Sequence, residues 1–233
     1  NFVSRTRAAA FCFALFLIAG LWTTPAAAQI HIEDVRVGFR YPTAGNEGNY
    51  KNGDWAPVRV RLRAEKDGFS GALELSTTDS DDVEAVFQRR VSLAPNETID
   101  VTPFAKPGKQ MPEFHVRLID ESGKTRDRDN YDTSSGRAWD GALQSTTLIV
   151  AVGRPAGLDA EQFAKRPGYP RESFRIAQLE STRELPARWF GYEAVDHLVL
   201  CLDIPEQLEG MDITARTAVE AWVRHGGHLV VSV

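Results

Sequence analysis

The sequence predicts an α+β multidomain chain: an N-terminal immunoglobulin-like β-sandwich followed by a truncated, flavodoxin-like, doubly wound α/β domain. Three observations predict it. Between residues 31 and 119 apolar and polar residues alternate with period two, and turn-forming clusters separate the runs. From residue 144 the alternation gives way to continuous apolar runs and an amphipathic stretch. Between the two patterns, residues 121–143 (ESGKTRDRDNYDTSSGRAWDGAL) are polar, contain glycine and have no period.

Each element of the first module follows from its spacing. IHIEDVRVGF alternates imperfectly, setting Ile32, Asp34 and Arg36 against Glu33, Val35 and Val37. APVRVRLRA is regular, with Val58, Val60 and Leu62 on one face and Arg59, Arg61 and Arg63 on the other, the pattern of a half-buried antiparallel strand. GALELST (71–77), AVFQRRVSL (85–93), residues 98–103 and EFHVRLI (113–119) supply four more strands. The intervening NGD, EKDG, TDSDD, APNE and KPGK are turn formers for backbone reasons. Six short strands with no amphipathic helix read as a sandwich over residues 29–120, and residues 121–143 as a linker.

In the second module, residues 144–233, STTLIVAVG is an apolar run ended by glycine, as in a strand buried on both faces of a parallel sheet. A short helix over 158–165, strands over 174–179 and 197–202, a helix over 214–225 and a strand over 229–233 follow. The longer helix places Ala215, Ala218, Val219, Trp222 and Val223 on one stripe, with Gly226 as its stop.

The first 28 residues differ from both modules. Arg5 and Arg7 precede the apolar run AAAFCFALFLIAGLW, and Ala26, Ala27 and Ala28 form a small-residue site, so a signal peptide cleaved between Ala28 and Gln29 is expected. An uncleaved anchor is the weaker reading, because about 20 apolar residues are normally needed to span a bilayer. Either way the remainder is exported, facing the periplasm whether soluble or membrane-anchored. It then carries 25 basic and 32 acidic residues, a net charge of −7, which disfavours nucleic acid and anionic lipid as partners. Cys12 leaves with the leader and Cys201 alone remains, so no intrachain disulfide is expected.

Residues 185–233 carry a resemblance. Trp189, Gly191, Tyr192 and Asp196, the strand Leu198, Val199 and Leu200, and AVEAWVRHGGHLVVSV resemble the class I glutamine amidotransferase-like domain of exported, membrane-associated bacterial proteins. YKNGDWAPVRV (50–60) is similar to the β-sandwich module that precedes such domains. In the family's enzymes, the resemblance implies, a glycine-rich oxyanion loop follows the strand equivalent to 198–202, and a nucleophilic cysteine sits in an elbow after the strand equivalent to 229–233, where a helix N-terminus lowers its pKa. Here the first position reads CLDIPE, and the second falls at or beyond Val233, so a fragment of a longer protein is expected, whose remainder carries either catalytic Cys, His and Glu or a membrane span.

Other residues invite chemistry and have a simpler reading. Cys201 with His197 or His225 as base suggests a nucleophile, but free cysteine is among the most buried residue types, and His197 stands four residues away, about 13 Å along a strand. Asp79, Asp81, Asp82 and Glu84, and likewise DRDNYD (127–132), offer carboxylates for Ca²⁺ without the glycine and distant glutamate of an EF-hand loop, so solvated turns are preferred. VGRPAGL (152–158) lies where phosphates bind in dinucleotide folds but matches neither glycine-rich fingerprint. Trp189, Phe190 and Tyr192 suggest a ligand platform, and packing between domains explains them better. Arg89 and Arg90 read as a solvated pair, and the Asn96 sequon has no meaning in a bacterial protein.

The resulting expectation is a non-enzymatic protein of the cell envelope with a recognition or assembly role, with no catalytic residue, metal or cofactor. Its partners are envelope proteins or its own continuation. A hydrolase or amidotransferase completed by that continuation is the competing reading, and a carbohydrate-binding sandwich a weaker third.

Overall fold

The computed structural model describes residues 29–40, 48–108, 112–131, 141–155, 157–158, 173–201 and 210–232. The expected leader, nearly all of the helix expected over 158–165 and residues 132–140 of the expected linker lie outside the described residues.

The first module contains β1 (Ile30–Val37), β2 (Phe39–Arg40), β3 (Gly48–Asn49), β4 (Ala56–Ala64), β5 (Phe69–Thr78), β6 (Glu84–Leu93), β7 (Thr98–Val101), β8 (Phe104–Ala105), β9 (Phe114–Asp120) and β10 (Thr125–Tyr131). One antiparallel sheet runs β1-β4-β7, with β8 also paired to β4, and a second runs β10-β9-β5-β6. Val58, Val60 and Leu62 of the first sheet and Leu73, Leu75, Val116 and Leu118 of the second share one core. The imperfect alternation of β1 has a cause: the register against β4 shifts between Ile32 and Asp34. That bulge lets Ile30 and the odd-numbered Val35 and Val37 all face inward.

The linker expected over 121–143 is corrected at its start, because residues 125–131 form β10, paired antiparallel to β9. β10 stands at the sheet's edge and buries only Tyr131 fully, so its sequence carries no apolar period. Its position is held by polar contacts. Asp120 Oδ1 accepts the Ser122 and Lys124 amides in the preceding turn, and Asp127 Oδ2 accepts the Ile32 amide of β1 at 2.8 Å, tying the two sheets at one edge.

The second module holds β11 (Thr147–Val152), β12 (Phe174–Leu179), β13 (His197–Cys201), α1 (Ile213–Arg224) and β14 (His228–Ser232). Its four strands are parallel in the order β12-β11-β13-β14. Asp212 caps α1 by accepting the Thr214 amide and hydroxyl, and Gly226 at φ 100° follows its end. The helix buries Ala215, Ala218, Val219 and Trp222 against the sheet; Val223, expected on the same stripe, is partly exposed. β14 stands at the end of the sheet with Leu229, Val230 and Val231 exposed.

The two modules share more than a connection. After β1 the chain turns at Gly38, whose φ is 77°, and a Cβ there would lie 2.1 Å from the Asn49 carbonyl oxygen, so only glycine fits. The turn delivers Phe39 into the core of the second module, among Leu148, Leu179, Tyr192 and Trp222.

Candidate functional site

The two stretches that carry the family resemblance meet each other and form the seam between the modules. From the first, Lys51 is buried and its Nζ donates to Asp196 Oδ2 at 2.7 Å. The same oxygen accepts the Leu148 amide at 2.7 Å, at the start of β11. Trp55 N donates to Glu193 Oε2 at 2.8 Å, and Gln144 Nε2 donates to Asp54 Oδ1 at 2.9 Å. Burial pushes the Asp54 carboxyl up from its ordinary range, partly offset by that Gln144 bond.

Aromatic rings fill the seam beside these polar ties. Phe190 packs at 5.3 Å from Trp55 and 4.9 Å from Phe104, and Trp55 at 5.3 Å from Phe87. Gly191 allows the close approach, since a Cβ there would lie 2.5 Å from the Phe104 ring. Tyr192 is buried between Phe39 and Trp222, and its hydroxyl donates to the Pro186 carbonyl at 2.9 Å.

Burial holds the Tyr192 phenol well above its ordinary pKa. The folded state therefore keeps a proton that the unfolded chain releases near pH 10, so this stability is complete below about pH 10 and falls above it by about 1.4 kcal/mol per pH unit. Chemical denaturation at pH 8, 10 and 11 should show the fall, and Tyr192→Phe should flatten it; an unchanged slope in the variant would refute this origin.

Along one flank of the seam lies a cleft of about 530 Å³. Arg36, Arg40, Arg59, Arg61 and Arg183 line it, against Asp100, Glu180 and Glu184. Sheet register explains the crowding: Arg36 of β1 stands directly opposite Arg59 of β4, and Arg61 opposite Asp100 of β7. Like charges facing each other across a ladder are unfavourable. The second module supplies their counter-ion, as Glu184 Oε2 lies 3.5 Å from Arg36 Nη2 and 3.5 Å from Arg59 Nη1. Glu184 Oε1 meanwhile accepts the Glu180 amide at 2.9 Å.

The neutralisation within the cleft is uneven. Asp100 accepts from Arg59 Nη2 at 2.5 Å and from Arg61 Nε at 3.1 Å; burial raises its pKa, but these two guanidinium groups outweigh that and hold it low. Arg36 is the opposite case. Burial, then the neighbouring Arg59, lowers its pKa, Glu184 compensates only in part, and its Nε is buried without a hydrogen-bond partner among the described residues. Arg40 pairs with Glu180 at 2.6 Å near the surface, while Arg183 is exposed and has no carboxylate partner among the described residues.

None of the residues singled out in sequence for chemistry lines this cleft, although Gly153 and Arg89 bond the carbonyls of Leu179 and Thr102, which do. Cys201 is buried at the end of β13, level with Ser232 of β14. His197 begins the same strand and its ring stacks on His228 at 5.2 Å. His225 stacks on Trp189 at 4.5 Å and contacts the Ala221 carbonyl through Nδ1. Asp79 turns its Oδ1 onto the Asp81 and Val83 amides of its own loop, Asp129 accepts from the Tyr131 hydroxyl, and no group of three metal-ligating side chains occurs among the described residues. The Gly153 amide is bonded to the Leu179 carbonyl. Arg89 reaches the Thr102 carbonyl.

Sequence reasoning missed the cleft because it assigned Arg59 and Arg61 to a solvent face. The signal was present in VRVRLR, three arginines on one face of a single strand, beside Arg36 on another strand.

A family model described as "Domain of unknown function (DUF8726)" matches residues 41–134. No curated protein matches the chain. Among solved structures it is similar to a cycloisomaltooligosaccharide glucanotransferase of Paenibacillus sp., at 11% identity and a TM-score of 0.35 over 75% of this chain and 20% of that one. It is similar to an alkylpurine DNA glycosylase of Pseudomonas fluorescens at 12% identity and a TM-score of 0.32, over 46% of this chain and 31% of that one. A Niemann-Pick type C2 protein from Japanese carpenter ant shares 10% identity at a TM-score of 0.29, over 45% of this chain and 89% of that one. The chain thus spans less than a third of the first two proteins, and likenesses at these scores carry nothing about chemistry.

Proposed function

We propose that this chain is an exported, non-enzymatic recognition or assembly protein of the cell envelope, facing the periplasm, in which an immunoglobulin-like sandwich is fused to a flavodoxin-like, amidotransferase-like domain. Two packed antiparallel sheets support the first assignment. The strand order β12-β11-β13-β14 is second, first, third, fourth in chain order and supports the second, because doubly wound flavodoxin-like sheets begin this way.

One observation carries the non-enzymatic reading. Acyl transfer by a cysteine needs a base within hydrogen-bond reach of an accessible sulfur, whereas Cys201 is buried in the sheet and His197 and His225 are stacked on other rings. The charged lining of the cleft between the modules is instead five arginines and three carboxylates, with neither cysteine nor histidine, which suits binding. Purified chain incubated with glutamine or with p-nitrophenyl acetate should release ammonia or p-nitrophenol no faster than buffer, and Cys201→Ser should change nothing. Turnover abolished by that substitution would overturn the non-enzymatic reading and make Cys201 the nucleophile.

A further inference from the structure

We propose that the arginine-lined cleft at the seam binds a phosphate-type oxyanion, either free phosphate or the phosphate monoester of a small molecule, received by Arg36, Arg40, Arg59 and Arg183. The proposal deepens the recognition reading above by naming the ligand class of that same cleft.

Charge is the first argument. Five guanidinium groups face three carboxylates, a local excess of two positive charges in a chain whose formal net charge is −5. A site that concentrates one sign of charge against the sign of the whole molecule attracts the opposite ion, and an excess of two matches a dianion.

Geometry is the second. Charge-assisted N–H···O bonds normally close to about 2.7–2.9 Å, yet Glu184 stands 3.5 Å from both Arg36 and Arg59. Its carboxylate neutralises the pair from a distance. Arg59 Nη2 is also engaged by Asp100 and Arg40 Nη1 by Glu180, so the donors left for a second anion are the buried Arg36 Nε, the remaining N–H groups of Arg40 and Arg59, and Arg183. Arg61, whose Nε and Nη2 both reach Asp100, serves to hold that carboxylate in place. The remaining donors come from β1, β2, β4 and the turn at Thr182–Glu184, so several elements contribute donors to one cleft. That supply of donors suits a phosphate group better than a carboxylate, which has fewer oxygens to accept them.

Place and size are the third. The cleft includes Leu179, Glu180 and Ser181, at the C-terminal end of the end strand β12; this is the side of the sheet on which open α/β folds bind ligands, one strand away from the switch point between β11 and β13. Its volume of about 530 Å³ lies within the range of small-molecule sites and admits a substituent beside the phosphate.

Calorimetric titration of the purified chain at low ionic strength with inorganic phosphate, glycerol 3-phosphate and succinate tests the proposal. Saturable binding of either phosphate with Kd below about 1 mM is expected; tighter binding of glycerol 3-phosphate identifies a monoester as the ligand, and tighter binding of inorganic phosphate identifies the free ion. Arg183→Gln and Arg40→Gln, both at exposed side chains whose folding is checked by circular dichroism, should each weaken it at least about fivefold, and Glu184→Gln should tighten it by removing the competing carboxylate. No saturation by about 10 mM, affinity unchanged in both arginine variants, or succinate bound as tightly as phosphate would each overturn the assignment. Hydrolysis of glycerol 3-phosphate would instead overturn the non-enzymatic reading while leaving the site standing.

Discussion

Phe39→Ala should destabilise the chain by about 3–5 kcal/mol, the usual cost of truncating a buried phenylalanine, although Phe39 belongs by sequence to the sandwich. Its ring is 3% exposed and lies in the core of the other module, 6.4 Å from the Tyr192 ring. The loss should therefore appear in the unfolding of the α/β module, followed by tryptophan fluorescence with Trp55 and Trp189 replaced by Phe so that Trp222 dominates the signal, as well as in the sandwich. Phe39→Leu keeps most of the apolar volume and should cost less than about 1.5 kcal/mol. Equal effects of the two substitutions would mean that Phe39 contributes through the backbone turn at Gly38 rather than through packing.

The ion pair at the seam gives the second large effect, and its two halves should behave differently. Asp196→Ala removes the partner of a buried ammonium and the acceptor of the Leu148 amide together. Breaking a buried pair from one side leaves an uncompensated charge and costs about 3–5 kcal/mol. Because the Asp196 side chain is 38% exposed, water can reach the site and the expected loss is nearer about 3 kcal/mol. Lys51→Met removes the buried charge itself, keeps an unbranched apolar stem, and leaves Asp196 bonded to Leu148, so about 1 kcal/mol is expected. In a double-mutant cycle followed by urea denaturation, Lys51→Met together with Asp196→Ala should be more stable than Asp196→Ala alone. Simple additivity would show that Lys51 finds another counter-ion.

These effects sit where the sequence was least legible. The strands with clean alternation, Val58-Val60-Leu62 above all, and the capped helix Ile213–Arg224 were readable because burial on one face leaves a period in the sequence. β10 was not, because an edge strand held by a turn and by Asp127 needs no apolar face. Lys51 was not, because lysine is rarely buried without a partner and its partner lies in the other module. The resemblance marked YKNGDW and the stretch around Trp189 as two separate signatures, and only the tertiary structure shows that they contact each other. The arginine cleft was hidden for a related reason: alternation places Arg59 and Arg61 on the outer face of a sheet, and it carries no information that a neighbouring module roofs that face with Glu184.

A fixed seam gives the cleft one shape. Differential scanning calorimetry of the purified chain measures this directly: one cooperative transition is predicted, with calorimetric and van't Hoff enthalpies equal, splitting into two in Asp196→Ala or Phe39→Ala. Two resolved transitions in the unaltered chain, each unmoved by either substitution in the other module, would contradict it.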